Sequence, residues 1–134
     1  MALNILTGRS VTITINSVAY TAQVKKAELI PNQQVDQFVS LSATAAKSQP
    51  VTWSLAITGW QDWTSGASAG FSRAMNTAAA TGTSVSFSLV VGSTGNTVTA
   101  AGNIVPMYVG AGGSANEALV NDLTFQVDGS VTFT

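Results

Sequence analysis

The chain has 134 residues, enough for one domain with a real core. It holds no cysteine and no histidine, which removes disulfides, thiolate metal sites, imidazole bases and imidazole metal ligands. Six acidic and five basic residues leave a net charge of −1, so the composition advertises no basic patch for nucleic acid.

The opening Met1-Ala-Leu-Asn-Ile-Leu-Thr-Gly-Arg9 places its Arg after a short apolar part, the reverse of a secretory signal. No apolar run reaches the roughly 18 residues of a membrane-spanning helix. A chain made and kept in a cytoplasm, without membrane insertion, is the expectation.

Val11, Ile13 and Ile15 alternate with Thr12, Thr14 and Asn16, as a half-buried strand does. A two-residue turn at Asn16-Ser17 pairs Ile15 with Val18 and Ile13 with Tyr20, leaving all apolar residues on one face. The returning strand is expected to run through Lys25-Lys26 to Leu29. The alternation slips there, which predicts a bulge, and Pro31 is expected to end the strand. Gln33 to Gln37 reads as a loop, Val39 to Ala43 as a third strand, and Lys47 to Pro50 as a turn. Val51, Trp53, Leu55 and Ile57 alternate with Thr52, Ser54, Ala56 and Thr58, the clearest strand in the chain.

After Trp63 the period changes to that of a helix. Phe71, Ala74, Met75, Ala78 and Ala79 share one face, and Ser72 and Arg73 fall on the other. The helix is expected near 67–80, capped by Thr64 or Ser65 and closed by Gly82. Strands follow at Val85–Val91 and Val98–Ile104, joined by a Gly-rich turn over Gly92–Asn96. Val109 to Asn121 reads as a long, mobile, Gly-rich loop. Leu123, Phe125 and Val127 form the last long strand, and a three-residue turn over Asp128–Ser130 is expected to send Val131 and Phe133 back along it. The sum is one mainly β domain over 1–134. Two packed antiparallel sheets form a β-sandwich or small barrel, flanked by one short α-helix.

The chemistry is sparse. Asp36, Asp62, Asp122 and Asp128 lie apart in sequence and near turns, where Asp is common for its own backbone bonds. Asp122 to Asp128 does not space its ligands as a calcium loop, and Gly110–Ser114 lacks the Lys and helix of a phosphate loop. Lys25-Lys26 reads as a solvated strand end. No catalytic residue, metal site, cofactor or small-molecule ligand is expected.

All three tryptophans fall between Trp53 and Trp63. The alternation assigns Trp53 to the core, where it is expected to be well buried. Trp60 and Trp63 lie beyond Gly59, outside the pattern. They are open to three readings: a seam over the strand-to-helix corner, a subunit contact, or a stacking platform in a carbohydrate-binding β-sandwich. At that corner Gln61 and Asp62 are expected to hold the turn.

The run Val51-Thr-Trp-Ser-Leu-Ala-Ile-Thr-Gly-Trp-Gln-Asp-Trp63 resembles the strand, Gln-Asp corner and helix segment of phage tail tube proteins, the major tail proteins of long non-contractile-tailed phages. The short helix, Ser84–Leu89, Thr97–Ile104, the Gly112-Gly113 loop and Asp122–Gly129 follow in that family's order. Ala74 and Ala78 stand where the family usually has bulkier apolar residues, and Ser130-Val131 where a Pro often follows the Gly.

The resemblance implies a non-enzymatic virion subunit of the siphovirus type. It stacks with itself as hexameric rings into a tail tube that conducts the genome during ejection. It also implies assembly in the host cytoplasm around a tape-measure protein, with tail terminator and distal tail proteins as further partners. DNA would pass through without sequence-specific binding, which suits the low basic content. The contact residues so implied are Gln33, Gln34, Val35 and Asp36 in one loop, and Gly110, Gly112, Gly113, Asn116 and Glu117 in the other. The structural corner is Trp53, Trp60, Gln61, Asp62 and Trp63. The lumen would be lined by two strands spanning Tyr20 to Ala45.

Overall fold

The computed structural model describes residues 6–48, 50–66, 69–93 and 96–134. Parts of the predicted turns at 47–50 and 92–96, and the predicted helix start at 67–68, lie outside those residues. Among these residues a 3-10 turn at Gly8–Ser10 leads into nine strands and one helix. The strands are β1 (Val11–Ile15), β2 (Val18–Ala19), β3 (Val24–Asn32), β4 (Val35–Val39), β5 (Thr44–Ser48), β6 (Thr52–Trp60), β7 (Val85–Ser93), β8 (Asn96–Ile104) and β9 (Val120–Phe133). The helix α1 (Phe71–Thr81) lies between β6 and β7.

Seven strands form one curled antiparallel sheet in the order β2-β1-β7-β8-β9-β6-β3, and β4 and β5 form a separate two-stranded sheet. The curl depends on β9, which is fourteen residues long and serves two neighbours. Its first half pairs with β6, with Phe125 opposite Leu55, and its second half pairs with β8, with Phe133 opposite Ala100. The expected hairpin over Asp128–Ser130 is therefore not formed. Gly129 takes φ +86, and the β8–β9 register shifts between Ala101 and Asn103, so Asp-Gly marks a bulge inside a continuous strand. Opposite that bulge Gly102 leaves room for the Phe87 ring, which a Cβ would approach to 3.2 Å.

The alternation of apolar residues builds the interior row by row. Ile13, Leu89 and Ala100 lie in register across β1, β7 and β8; Leu29, Leu55 and Phe125 lie in register across β3, β6 and β9. Leu29 is half-buried at the sheet edge; the other five, with Ile15, Ile57, Phe87, Ile104 and Val127, belong to the buried core. Each fully buried aliphatic or aromatic side chain contributes about 1.5–3 kcal/mol by leaving water. The outward row Thr14, Ser88, Ala101 and Thr132 across β1, β7, β8 and β9 carries no charge.

The first hairpin forms in the expected register, Ile15 opposite Val18, with Asn16 and Ser17 both at positive φ as a type I′ turn requires. It is shorter than expected. Residues 21–23 turn the chain away, so β3 joins β6 instead of continuing along β1. The predicted bulge lies between Val24 and Lys26. Pro31 does not end β3; it stands within the strand opposite Trp53, and β3 is an edge strand, where a missing N–H leaves no ladder bond unmade.

The helix begins at Phe71 with Gly70 as its N-cap, so neither Thr64 nor Ser65 caps it. The first free N–H, of Phe71, donates instead to Gln23 Oε1 at 2.8 Å, a cap supplied by another segment of the chain. Gly82 closes the helix in the left-handed conformation, its N–H donating to Ala78 O at 3.1 Å. Phe71 and Met75 are buried, and Phe71 packs edge to face on Tyr20 with ring centroids 5.3 Å apart. Ser72, expected on the solvent face, is buried because its Oγ accepts the Asp62 N–H.

Candidate self-association surface

The segment from Gln33 to Ser48 departs most from expectation. Gln33 and Gln34 lead into β4, where a loop was expected, and Val35 and Asp36 are strand residues. Ser40–Ala43 is a turn, where the middle of a strand was expected. Ser40 N–H donates to Ala43 O at 2.7 Å, and the Ser40 hydroxyl bonds both backbone groups of Ala43. A serine side chain thus closes a turn that holds no Gly, Pro, Asn or Asp.

The resulting β4–β5 hairpin stands apart from the large sheet, with its apolar side chains uncovered by the described residues. Val35 is 66% exposed, Phe38 56% and Val39 73%, and Leu41 at the tip is fully exposed. An isolated two-stranded hairpin is marginal in water, and such a run of uncovered large apolar side chains marks a contact surface.

The second candidate segment lies at the other end of the sheet. β6 starts at Thr52, opposite Asn32 at the hairpin base, and ends at Trp60, opposite Val120. Nine strand residues span roughly 27 Å. At the Trp60 end the chain crosses from Val105 to Leu119 without regular structure. Side-chain amides hold this loop. Asn76 brackets Val109, accepting from its N–H at 2.6 Å and donating to its carbonyl at 3.3 Å. Gln61 does the same for Gly112, at 3.2 and 2.9 Å, and Asn121 donates to Gly110 O at 3.2 Å. Each bracket reproduces the two-way bonding of a strand pair. Gly110, Gly112, Gly113, Asn116 and Glu117 are all exposed on it. The two expected contact segments therefore do not meet within one chain; only Gln61 of the corner joins Gly112 of the loop.

At the corner, Asp62 Oδ1 accepts the Thr64 hydroxyl at 2.7 Å and the Thr64 N–H at 3.0 Å. Those bonds, the hydroxyl's first, hold its carboxyl below the ordinary carboxylate value. Gly70 lies so close that a Cβ there would collide with Asp62. Burial raises the Tyr20 phenol. Trp53 is half-buried where deep burial was expected, because it stands near the end of the core row with Phe133 leaning on it at 5.4 Å. Trp63 packs against the core and donates its indole N–H to Gln61 Oε1 at 3.2 Å. Trp60 is 41% exposed, with Lys25 Nζ 5.0 Å above its ring. A core-packed Trp63 and a lysine-covered Trp60 face do not make a paired stacking platform for sugar.

Among the described residues no group of three His, Cys, Asp or Glu is placed to hold a metal ion, and no helix is long and apolar enough to cross a membrane.

The fold has solved counterparts of nearly the same extent. A chain of the native gene transfer agent virion superposes with a TM-score of 0.74 at 14% identity, covering 97% of this chain and 99% of that one. A chain from the tail of an empty gene transfer agent particle, of C6 symmetry, gives 0.73 at 14% identity, with the same coverage. A chain of the tube-terminating cap of the anti-feeding prophage gives 0.73 at 11% identity, over 100% of this chain and 93% of that one. No protein-family model matches the sequence, and no curated protein matches it. The curled β sheet with one flanking helix is thus a fold shared, across its whole length, with chains of tailed and tubular particles.

Proposed function

We propose that this chain is a structural virion protein, the repeating subunit of a phage-type tail tube, built from stacked hexameric rings and serving as the conduit for genome delivery. The observation that carries the reading is the β4–β5 hairpin: it is apolar, uncovered in the single chain, and projects from one end of a sheet whose other end carries an amide-braced loop. Subunits stacked along an axis would bring the hairpin of one copy against the loop end of the next. The full-length likeness to chains of the gene transfer agent tail and the anti-feeding prophage tube cap supports this role.

The contact residues in this reading are Val35, Asp36 and their hairpin neighbours on one side, with Gln33 and Gln34 at the base. On the other side they are Gly110, Gly112, Gly113 and Asn116, while Glu117 on the same loop is a contact between subunits of one ring. The lumen wall falls to β3. Of the stretch from Tyr20 to Ala45 expected to line it, β3 belongs to the large sheet, and β4 with the first residues of β5 belongs to the hairpin. Lys26 on β3 pairs with Glu28 at 3.4 Å, which tempers phosphate contact. The subunit is non-enzymatic, of the siphovirus type, and works with a tape-measure protein, a terminator and distal tail proteins in the host cytoplasm. Negative-stain electron microscopy of the concentrated, purified chain tests the reading. Rings or tubes with sixfold symmetry are expected; a monomer at every concentration and salt would contradict it.

A further inference from the structure

The chain has few charges, and most already have intrachain partners. Glu28 pairs with Lys26, Asp62 bonds Thr64, Asp122 bonds Thr58 and Asp128 bonds Ser84. Asp36 is engaged and stands opposite Lys47 in the hairpin register. Lys25 covers Trp60, and Arg73 donates to Trp63 O at 2.7 Å. Among the described residues this leaves one acid, Glu117, whose side chain has no partner. The corresponding cation outside the hairpin is Arg9.

Their placement is complementary. Arg9 lines an open cleft of about 810 Å³ between the 3-10 turn and β3, with Thr7, Thr21, Val24, Lys25 and Lys26. Three of the chain's five cations therefore converge on this flank of the sheet. Glu117 sits in the loop that feeds β9, on the other side of β6, beside the Gln61–Leu119 backbone bond. Val24 is paired with Gly59 and Val120 with Trp60, so cleft and loop lie at the same end of β6 and on opposite flanks of it. A contact between them is lateral and head to tail. Such heterologous contacts close into rings when the rotation permits.

We propose that the Arg9 cleft of one copy receives the Glu117 turn of the adjacent copy at the same level, an ion pair that sets the register of neighbours within a ring. The inference rests on the self-assembly proposed above. In a subunit with so few charges, a pair placed this way adds specificity and rate of encounter more than affinity.

A charge-swap cycle on the full chain tests it, read by the protein concentration at which assemblies appear in sedimentation, with the thermal midpoint of the monomer as the folding control. Glu117→Arg and Arg9→Glu should each raise that concentration by about fivefold or more, and the double variant should return it to within about twofold of wild type. Rescue of Glu117→Arg by Lys47→Glu instead of Arg9→Glu would overturn the assignment of the cleft. A double variant that restores monomer stability but not assembly would place the pair inside one chain and also overturn it. Wild-type assembly with indifferent single variants would remove the ion pair alone; a wild type that never assembles would remove the tube reading itself.

Discussion

β6 and the β4–β5 hairpin carry the same kind of side chain and meet opposite environments. Leu55 and Ile57 in β6 have no exposed surface, because β3, β9 and the helix side of the core enclose them. Phe38 and Val39 in β4 are more than half exposed, and their strand pairs with β5 in a sheet of its own. The first region stabilises the subunit. The second contributes little to a single chain and is the surface that the proposed contact with another copy would cover. Alternation by itself reports a face to be buried and does not say whose surface will bury it.

The contrast can be broken from the core side first. Phe125→Ala removes a ring with no exposed surface at the meeting of β6 and β9, and should cost about 3–5 kcal/mol in urea unfolding. A cost below about 1 kcal/mol would mean that the enclosed interior does not govern stability. Gly59→Ala probes the junction of β3 and β6, where a new Cβ would meet the Gln23 carbonyl at 2.9 Å. Backbone cannot yield as a flexible side chain does, so about 1–3 kcal/mol should be lost, measured as a lower urea midpoint.

The corner gives a smaller, pH-dependent effect. Asp62 has a carboxyl pKa lowered in the folded state by Thr64. Its stabilisation is therefore complete above its unfolded value, near 3.8, and disappears as pH falls through the lower folded value. Asp62→Asn should flatten the acid limb of the stability profile below about pH 4, while leaving its shape near neutrality unchanged. An acid limb identical to wild type would deny the Thr64 bonds this role.

The strands facing the core were legible because each shows period two over several residues: β1, β6, β7 and the first half of β9 stand where the alternation puts them. The helix was legible from its own period of about 3.6 residues, and Gly82 closes it as its position suggested. What escaped had local chemistry that misleads. Val39, Leu41 and Ala43 keep a strand's alternation across a turn, because Ser40 closes that turn without the usual turn residues. Asp128-Gly129 has the sequence of a hairpin turn, yet its positive φ serves a bulge, since the partner of Val127 is Ile104 and not Val131. The Gln23 cap and the amide brackets of Gln61 and Asn76 join residues 33 to 51 positions apart, a separation that no periodicity reports.

The most direct test of the account is sedimentation velocity on the double variant Phe38→Ser, Leu41→Ser beside the wild type, with thermal unfolding of both. The account predicts that wild type forms large assemblies while the variant stays monomeric, with stabilities within about 0.5 kcal/mol of each other. Assembly of the variant at wild-type concentrations, or loss of its fold, would contradict the claim that this hairpin is held in reserve for another copy.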